Sequence, residues 1–474
     1  MLKAIKNNSY LIIYLFIIGV INLFLQTLPL TNVFGYEFSA INALLLSFLS
    51  GLFSISFLKS LVKENKKFNS LNSIVKKLQH ISFNKLAVRS GFKQRKERKI
   101  KGKDLLIGFI LMSLHGRNTY QYWAEQVSLI TGKMISKQAI WKKVTPLLTN
   151  FLSAVLQESL GKQIALDKSK FGGSSALKNY KRILLQDSTV LALPIWLSRY
   201  FPGNVSRGQQ KAQLKIQVVY DLLSCRFVHF EITSFTSNDQ SKARDILSLA
   251  TNEDLVIRDL GYFVLECFEE LSKRGIHFIS RMRYGVKIYD LISGEELNLL
   301  KEIKKKKSFD QWVLIGRKKK SKVRLIAIPL TSDQANARRR KARHDRDQRL
   351  NHNQEYFKLL SYKIFITTED KQTLTANEVA QTYCLRWRIE SIFKCWKSCF
   401  QLQNLIYQTQ SLTKERVLAI VYMTLIFILL FQVTICNGIL NKLRKGMQYV
   451  LSLVRICQYI SAHINILLHY NFKD

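Results

Sequence analysis

Five residues between positions 383 and 397 have types and spacings that could act together on one substrate. Placed on a helix at about 100° per residue, Tyr383, Arg386, Glu390, Lys394 and Lys397 fall within one narrow arc. Leu385, Ile389, Ile392, Trp396 and Cys399 fall on the opposite side. One carboxylate is therefore held among cations and a phenol, on a helix whose back is anchored in a core. Cations on such a face suit phosphates; a solvated charged face with no ligand is the plainer alternative. The start of the helix is marked by a capping box, Thr375 with Glu378, and by a hydrophobic staple, Leu374 with Val379. The pattern predicts one helix within Leu374 to Phe400.

The spacing of Tyr383, Arg386, Glu390 and Lys397, reinforced by the surrounding RWRIE and FKCWKS, resembles the Y-R-E-K signature of DDE transposases. It is similar in particular to the cut-and-paste class called insertion-sequence family four. Two further matches occur in the family's order. LLQDST around Asp187 resembles its first acidic strand, and Asp259, Gly261 and Tyr262 match its DxGY pattern. The resemblance implies that Asp187, Asp259 and Glu390 are catalytic and bind metal. It implies that Arg386 and Lys397, with Tyr383 and Lys394, hold DNA near the cut. Asp221 and Asp254 lie nearby without a matching motif and are set aside. Phosphodiester chemistry of this kind uses two Mg2+ ions, with Mn2+ as a substitute, held by oxygen ligands about 4 Å apart. Such enzymes hydrolyse one strand, form and reopen a hairpin, and join the end to target DNA. The implied partner is double-stranded DNA, both transposon ends and target, bound by a homodimer assembled on it. A hairpin needs a flipped base, which an aromatic ring can hold by stacking; Trp312 is the candidate, with a core tryptophan as the alternative. The rival reading of the whole is an inactive DNA-binding remnant fused to a membrane hairpin.

Those residues need elements to position them, and the chain supplies an α/β pattern. Ile183–Leu193, Gln213–Asp221 and Phe227–Phe235 read as strands, and SFTSNDQSKA as the start of a helix. Leu255–Ile257 is a short buried strand that turns through Asp259 into a helix ending at Lys273. Three meandering strands, a helix and another acid-bearing strand suggest an RNase H-like catalytic domain, assigned to 166–415. Short alternating runs within about 285–360 resemble the family's β insertion, after which Tyr362–Thr368 returns to the sheet. Residues 67–165 read as a helical DNA-binding domain. Within it Ser136 caps a short helix bearing Lys137, Gln138, Lys142 and Lys143 after a turn at Gly132, so that Lys137 and Lys142 are candidate DNA contacts. Residues 416–474 form a C-terminal helical region; its apolar run Val417–Cys436 is read as a core helix, with a membrane span as the alternative.

Residues 1–66 differ from the rest. Tyr10–Leu30 and Phe38–Leu58 are apolar runs of roughly bilayer-crossing length, flanked by lysines in the pattern of a hairpin with cytoplasmic ends. Two buried soluble helices are the alternative. The resemblance starts near Ser70, and no methionine lies between Met1 and Met112, which suggests a chimeric reading frame. The expectation is a cytoplasmic, nucleoid-associated enzyme, with membrane contact through 1–66 if that segment is expressed. Lysine and arginine total 73 against 33 acids, a net charge of +40 that points to a polyanion partner. Seven cysteines without paired ligand spacing fit a reducing compartment rather than a disulfide or zinc framework.

Overall fold

A computed structural model of the chain describes residues 81–95, 99–114, 117–167, 175–206, 208–306, 308–318, 320–344, 353–407 and 412–430. The expected apolar hairpin of 1–66 lies outside the described residues. The first described elements are helices α1 (Phe83–Arg89), α2 (Gly102–Leu114), α3 (Tyr120–Thr131), α4 (Lys137–Trp141) and α5 (Pro146–Gly161). Trp123 anchors them: it is fully buried and donates its indole N–H to the Leu105 carbonyl at 2.9 Å. Helix α3 stops at Gly132, whose φ of 64° is a left-handed C-cap conformation that glycine adopts without Cβ strain. The Ser136 hydroxyl then accepts from the Ala139 N–H and starts α4. Ile140 fixes that helix to the core and leaves Lys137 and Lys142 exposed.

Strands β1 (Arg182–Leu193), β2 (Pro202–Ser206), β3 (Gln209–Asp221) and β4 (Arg226–Ser234) follow, then β5 (Asp254–Arg258), helix α6 (Leu265–Lys273) and β6 (His277–Arg281). Strand β3 pairs antiparallel with β1 and β4, while β5 runs parallel to β1 and β6 parallel to β5. This mixed α/β order is consistent with the RNase H-like meander. The helix expected after Phe235 is only a 3-10 turn, Ala243–Ser248. The carbonyls at its start are shared with side chains: Lys242 O accepts from Gln186 at 3.0 Å and from the Asp245 N–H at 3.3 Å, and Ala243 O accepts from Arg258 at 2.7 Å.

Next come β7 (Ile288–Asp290), β8 (Glu296–Leu297), α7 (Leu299–Lys306), β9 (Phe309–Ile315), β10 (Ser321–Pro329), α8 (Ser332–Arg343), α9 (Gln354–Leu359) and β11 (Tyr362–Thr367). The strands between 285 and 360 continue the central sheet, in the order β2-β3-β1-β5-β6-β11-β10-β9-β7-β8. Leu184, Val256, Phe278, Ile366 and Leu325 line up across one face against Phe268 and Leu271 of α6 and Ile303 of α7. Each such side chain contributes roughly 1.5–3 kcal/mol by burial.

The last described elements are α10 (Ala376–Cys384), α11 (Trp387–Ser398), α12 (Leu402–Tyr407) and α13 (Lys414–Ile428). The capping box at Thr375 and Glu378 is present in both directions. The single helix predicted from Leu374 is in fact two. Around the joint, the N–H groups of Leu385, Arg386, Arg388 and Ile389 bond three residues back, at 3.0 to 3.2 Å. This 3-10 tightening needs no glycine or proline, so composition did not announce it. Behind α11, Trp396 is fully buried against Phe227 and Phe230 of β4. Within the apolar run from Val417, the described part is core: Val417, Ile420, Val421 and Leu425 of α13 are fully buried, and the helix packs on α5 and α2. Arg416 lies wholly buried between Tyr120 and Trp123, donating to Asn118 at 2.9 Å; burial pulls its pKa down to about 10. No helix among the described residues is long and apolar enough to cross a membrane, so the expected transmembrane character has no support there.

Candidate active site

Strand register brings the first two acids together. Leu185 pairs with Ile257 and Gln186 with Arg258 across parallel β1 and β5, so the following positions are Asp187 and Asp259. Alternation points both acids to the face already taken by Leu185 and Ile257. One strand further, Arg258 pairs with Ser280, which places Arg281 beside Asp259. Glu390 arrives on the first turn of α11.

The three carboxylates converge on one cation. Arg386 Nη2 lies 2.7 Å from Glu390 Oε1, Nη1 donates to Asp187 Oδ2 at 3.2 Å, and Nε is 3.7 Å from Asp259 Oδ1. Arg386 sits at the tightened turn and meets Glu390 as an i,i+4 pair, while the strand acids Asp187 and Asp259 close over its guanidinium. Its side chain is 9% exposed where a solvated arc would have left it open. Burial pushes the Asp187 carboxyl up to about 7; the Ser188 N–H and Arg386 oppose that shift, and Asp259 and Glu390 add to it. Burial alone would lower the Arg386 pKa, yet the surrounding acids, Asp259 foremost, raise it. The acids, Arg386, Lys394 and Lys397 line a cleft of about 640 Å3, open to solvent. Burial lowers the Lys397 pKa.

Three carboxylates against a single guanidinium leave excess negative charge, and the donors are all hard oxygens. That set fits an Mg2+-type ion. As placed, Arg386 stands among them, and no cluster of three His, Cys, Asp or Glu ready to hold a metal occurs among the described residues.

Residues 180–426 match the family model described as Transposase DDE domain. The chain belongs to the DDE transposase family. The transposase for insertion sequence element IS231B of Bacillus thuringiensis subsp. berliner is 29% identical over 381 residues, covering 76% of this chain and 77% of that protein. The transposase for IS1151 of Clostridium perfringens is 28% identical over 394 residues, 77% and 80% of the two chains. This DDE transposase is thus an enzyme of insertion-sequence transposition that acts on DNA, in a family whose chemistry depends on divalent cations.

Not every predicted site residue of the transposase reaches the cleft. Tyr383 is 6% exposed, packed on Phe365 behind Arg386, and burial followed by Asp259 pushes its hydroxyl up to about 12. Trp312 lies on β9 beneath Lys322 and does not line the cleft. Lys137 opens α4 and Lys142 caps its end, both outside the cleft. Two residues escaped the sequence reading. Trp387 is 61% exposed with its ring 5.4 Å from the Arg386 guanidinium, and Arg281 follows Ser280, the register partner of Arg258. The only signal for Arg281 was its place after the buried run of β6. The two acids set aside have structural partners at the far end of the strands. Asp254 pairs with Arg182 at 2.6 Å, and Asp221 accepts from the N–H groups of Ile183 and Leu223.

Proposed function

We propose that this transposase cleaves the ends of its insertion sequence at the cleft formed by Asp187, Asp259 and Glu390, and joins them to target DNA in a cut-and-paste reaction. The observation that carries this reading is the convergence of the three acids on one guanidinium, since side chains brought together from two strands and a helix serve one centre. Asp187, Asp259 and Glu390 would hold the divalent cations, Mg2+ with Mn2+ as a substitute. When bound, these ions activate water or a 3′ hydroxyl and stabilise the leaving oxygen.

The remaining work falls to the protein. Lys394 and Lys397 hold the phosphates of the cut strand along one wall of the cleft. Arg386 leaves the acids to take a phosphate once the strand and ions enter, and Tyr383 packs behind it. Trp387, exposed beside the Arg386 guanidinium, replaces Trp312 as the ring that stacks a flipped base during hairpin formation. Lys137 and Lys142, at the two ends of α4, contact the terminal repeat. Two protomers pair the two ends on DNA.

The test is incubation of the purified protein with a duplex carrying the element's terminal repeat, with and without Mg2+. A nick exposing a 3′ hydroxyl, then a hairpin on a denaturing gel, is expected only with the metal. Binding without any strand cleavage in Mg2+ or Mn2+ contradicts the reading. Lys397→Ala should lower the slope of binding against salt by about one counterion.

A further inference from the structure

The two aspartates of the cleft sit on one face of neighbouring strands, and the residues beside them point to the other face. There a single segment, 239–243, grips both strands. Asp239 Oδ1 accepts from Ser188 Oγ, Lys215 Nζ and Gln217 Nε2, each at 3.1 Å. Ser188 follows Asp187 directly, and Gln217 lies opposite Ser188 in the β1–β3 ladder. The other carboxylate oxygen of Asp239 faces the turn after the second acid: a Cβ built on Gly261 would lie 3.1 Å from Oδ2. Only a residue without a side chain lets the carboxylate come this close without a shift. The next residue, Tyr262, closes the circuit by donating its hydroxyl to Gln217 Oε1. Three and four residues on, Lys242 O takes Gln186 and Ala243 O takes Arg258, the residues just before Asp187 and Asp259.

One stretch of chain therefore bonds the residues on both sides of Asp187, and it bonds Arg258 before Asp259 and packs closely on Gly261 after it. We propose that Asp239 is a positioning residue for the catalytic pair, setting the separation of Asp187 and Asp259 through Ser188 and the Gly261 turn. The inference rests on the reading of those two acids as cation ligands. It also assigns a reason to two residues of the D-x-G-Y turn: Gly261 makes room for the carboxylate, and Tyr262 ties the turn to β3. Asp239 touches neither substrate nor ion; it acts on the acids from behind, as residues that orient metal ligands do.

The experiment uses the full chain and four measurements: Mn2+ affinity by electron paramagnetic resonance, affinity for the terminal-repeat duplex, single-turnover cleavage, and thermal unfolding. Asp239→Ala should weaken Mn2+ binding by about 10–100-fold and slow cleavage in step, with duplex affinity unchanged. Asp239→Asn, of the same size, and Ser188→Ala should move the same two quantities by less, and they carry the test if the alanine variant does not fold. Gly261→Ala should weaken Mn2+ binding as well, and its effect should shrink when Asp239 is already alanine, since contacting residues are non-additive. A lowered unfolding temperature with wild-type Mn2+ affinity and cleavage would mean that Asp239 only supports the fold, which overturns the proposal. So would strictly additive effects at Asp239 and Gly261. Asp187→Ala separates the two levels: if that variant still binds Mn2+ and cleaves, the assignment of the acids fails, whatever the Asp239 variants do.

Discussion

Replacing Arg386 by alanine tests how the site is held together before any cation arrives. The guanidinium touches three carboxylates, but they are not equivalent. Asp187 is 15% exposed, and removing the partner of a buried charge costs about 3–5 kcal/mol. Asp259 and Glu390 are 43% and 37% exposed, so solvent screens them and each pair contributes about 0–1 kcal/mol. At alkaline pH, where Asp187 is ionised, the metal-free variant should thus lose about 4 kcal/mol. At roughly 2 °C per kcal/mol, the low end for larger domains, that is about 8 °C of unfolding temperature. The loss should depend on pH. The Asp187 carboxyl already sits at about 7 in the folded protein, above its unfolded value of about 3.9, so the folded state holds the extra proton and is weakened as pH rises between the two. Without Arg386 that weakening grows and extends to higher pH, so the deficit should be larger at alkaline than at mildly acidic pH. Saturating Mg2+ should stabilise the variant more than the wild type, because ion binding to the folded state replaces the missing charge. The assay is thermal unfolding in chelator and in Mg2+ at two pH values. A variant as stable as wild type in chelator, or equal stabilisation of both proteins by Mg2+, would refute this account of the site.

Other outcomes follow from single contacts. Trp387→Ala should lower the yield of hairpin by about 10–100-fold, the equivalent of one lost base stack of about 1–3 kcal/mol, while Trp312→Ala leaves it unchanged; the reverse pattern would restore Trp312 as the stacking residue. His277 Nδ1 lies 2.5 Å from Glu369, and that contact raises the imidazole pKa. The stability it contributes is fully present below the unfolded value of about 6.5 and is lost as pH rises through the raised value. The difference in unfolding temperature between wild type and His277→Gln should therefore shrink from acidic to alkaline pH, and growth with pH would contradict the assignment.

What the sequence made legible was periodic or local. The run ILLQDSTVLAL announces β1, and Thr375 with Glu378 announces the start of α10, because alternation and capping are written into neighbouring residues. The order of the acids was legible through a motif. The burial of Arg386 was not: it falls on the charged arc, and only the packing of that arc against the acid-bearing strand ends covers it. Arg281 and Asp239 were also invisible, since one owes its place to strand register and the other to contacts across 51 positions with Ser188. The core role of the Val417 run was reached by elimination rather than pattern, as a long apolar stretch reads the same in a bilayer and in a protein interior.

The most direct test of the central claim compares three substitutions in one assay. Asp187→Ala, Asp259→Ala and Glu390→Ala are each incubated with a terminal-repeat duplex in Mg2+, and strand cleavage and duplex affinity are measured side by side. All three should lose cleavage while binding the duplex about as well as the wild type. Cleavage at the wild-type rate by any one of them would remove that acid from the site and contradict the claim.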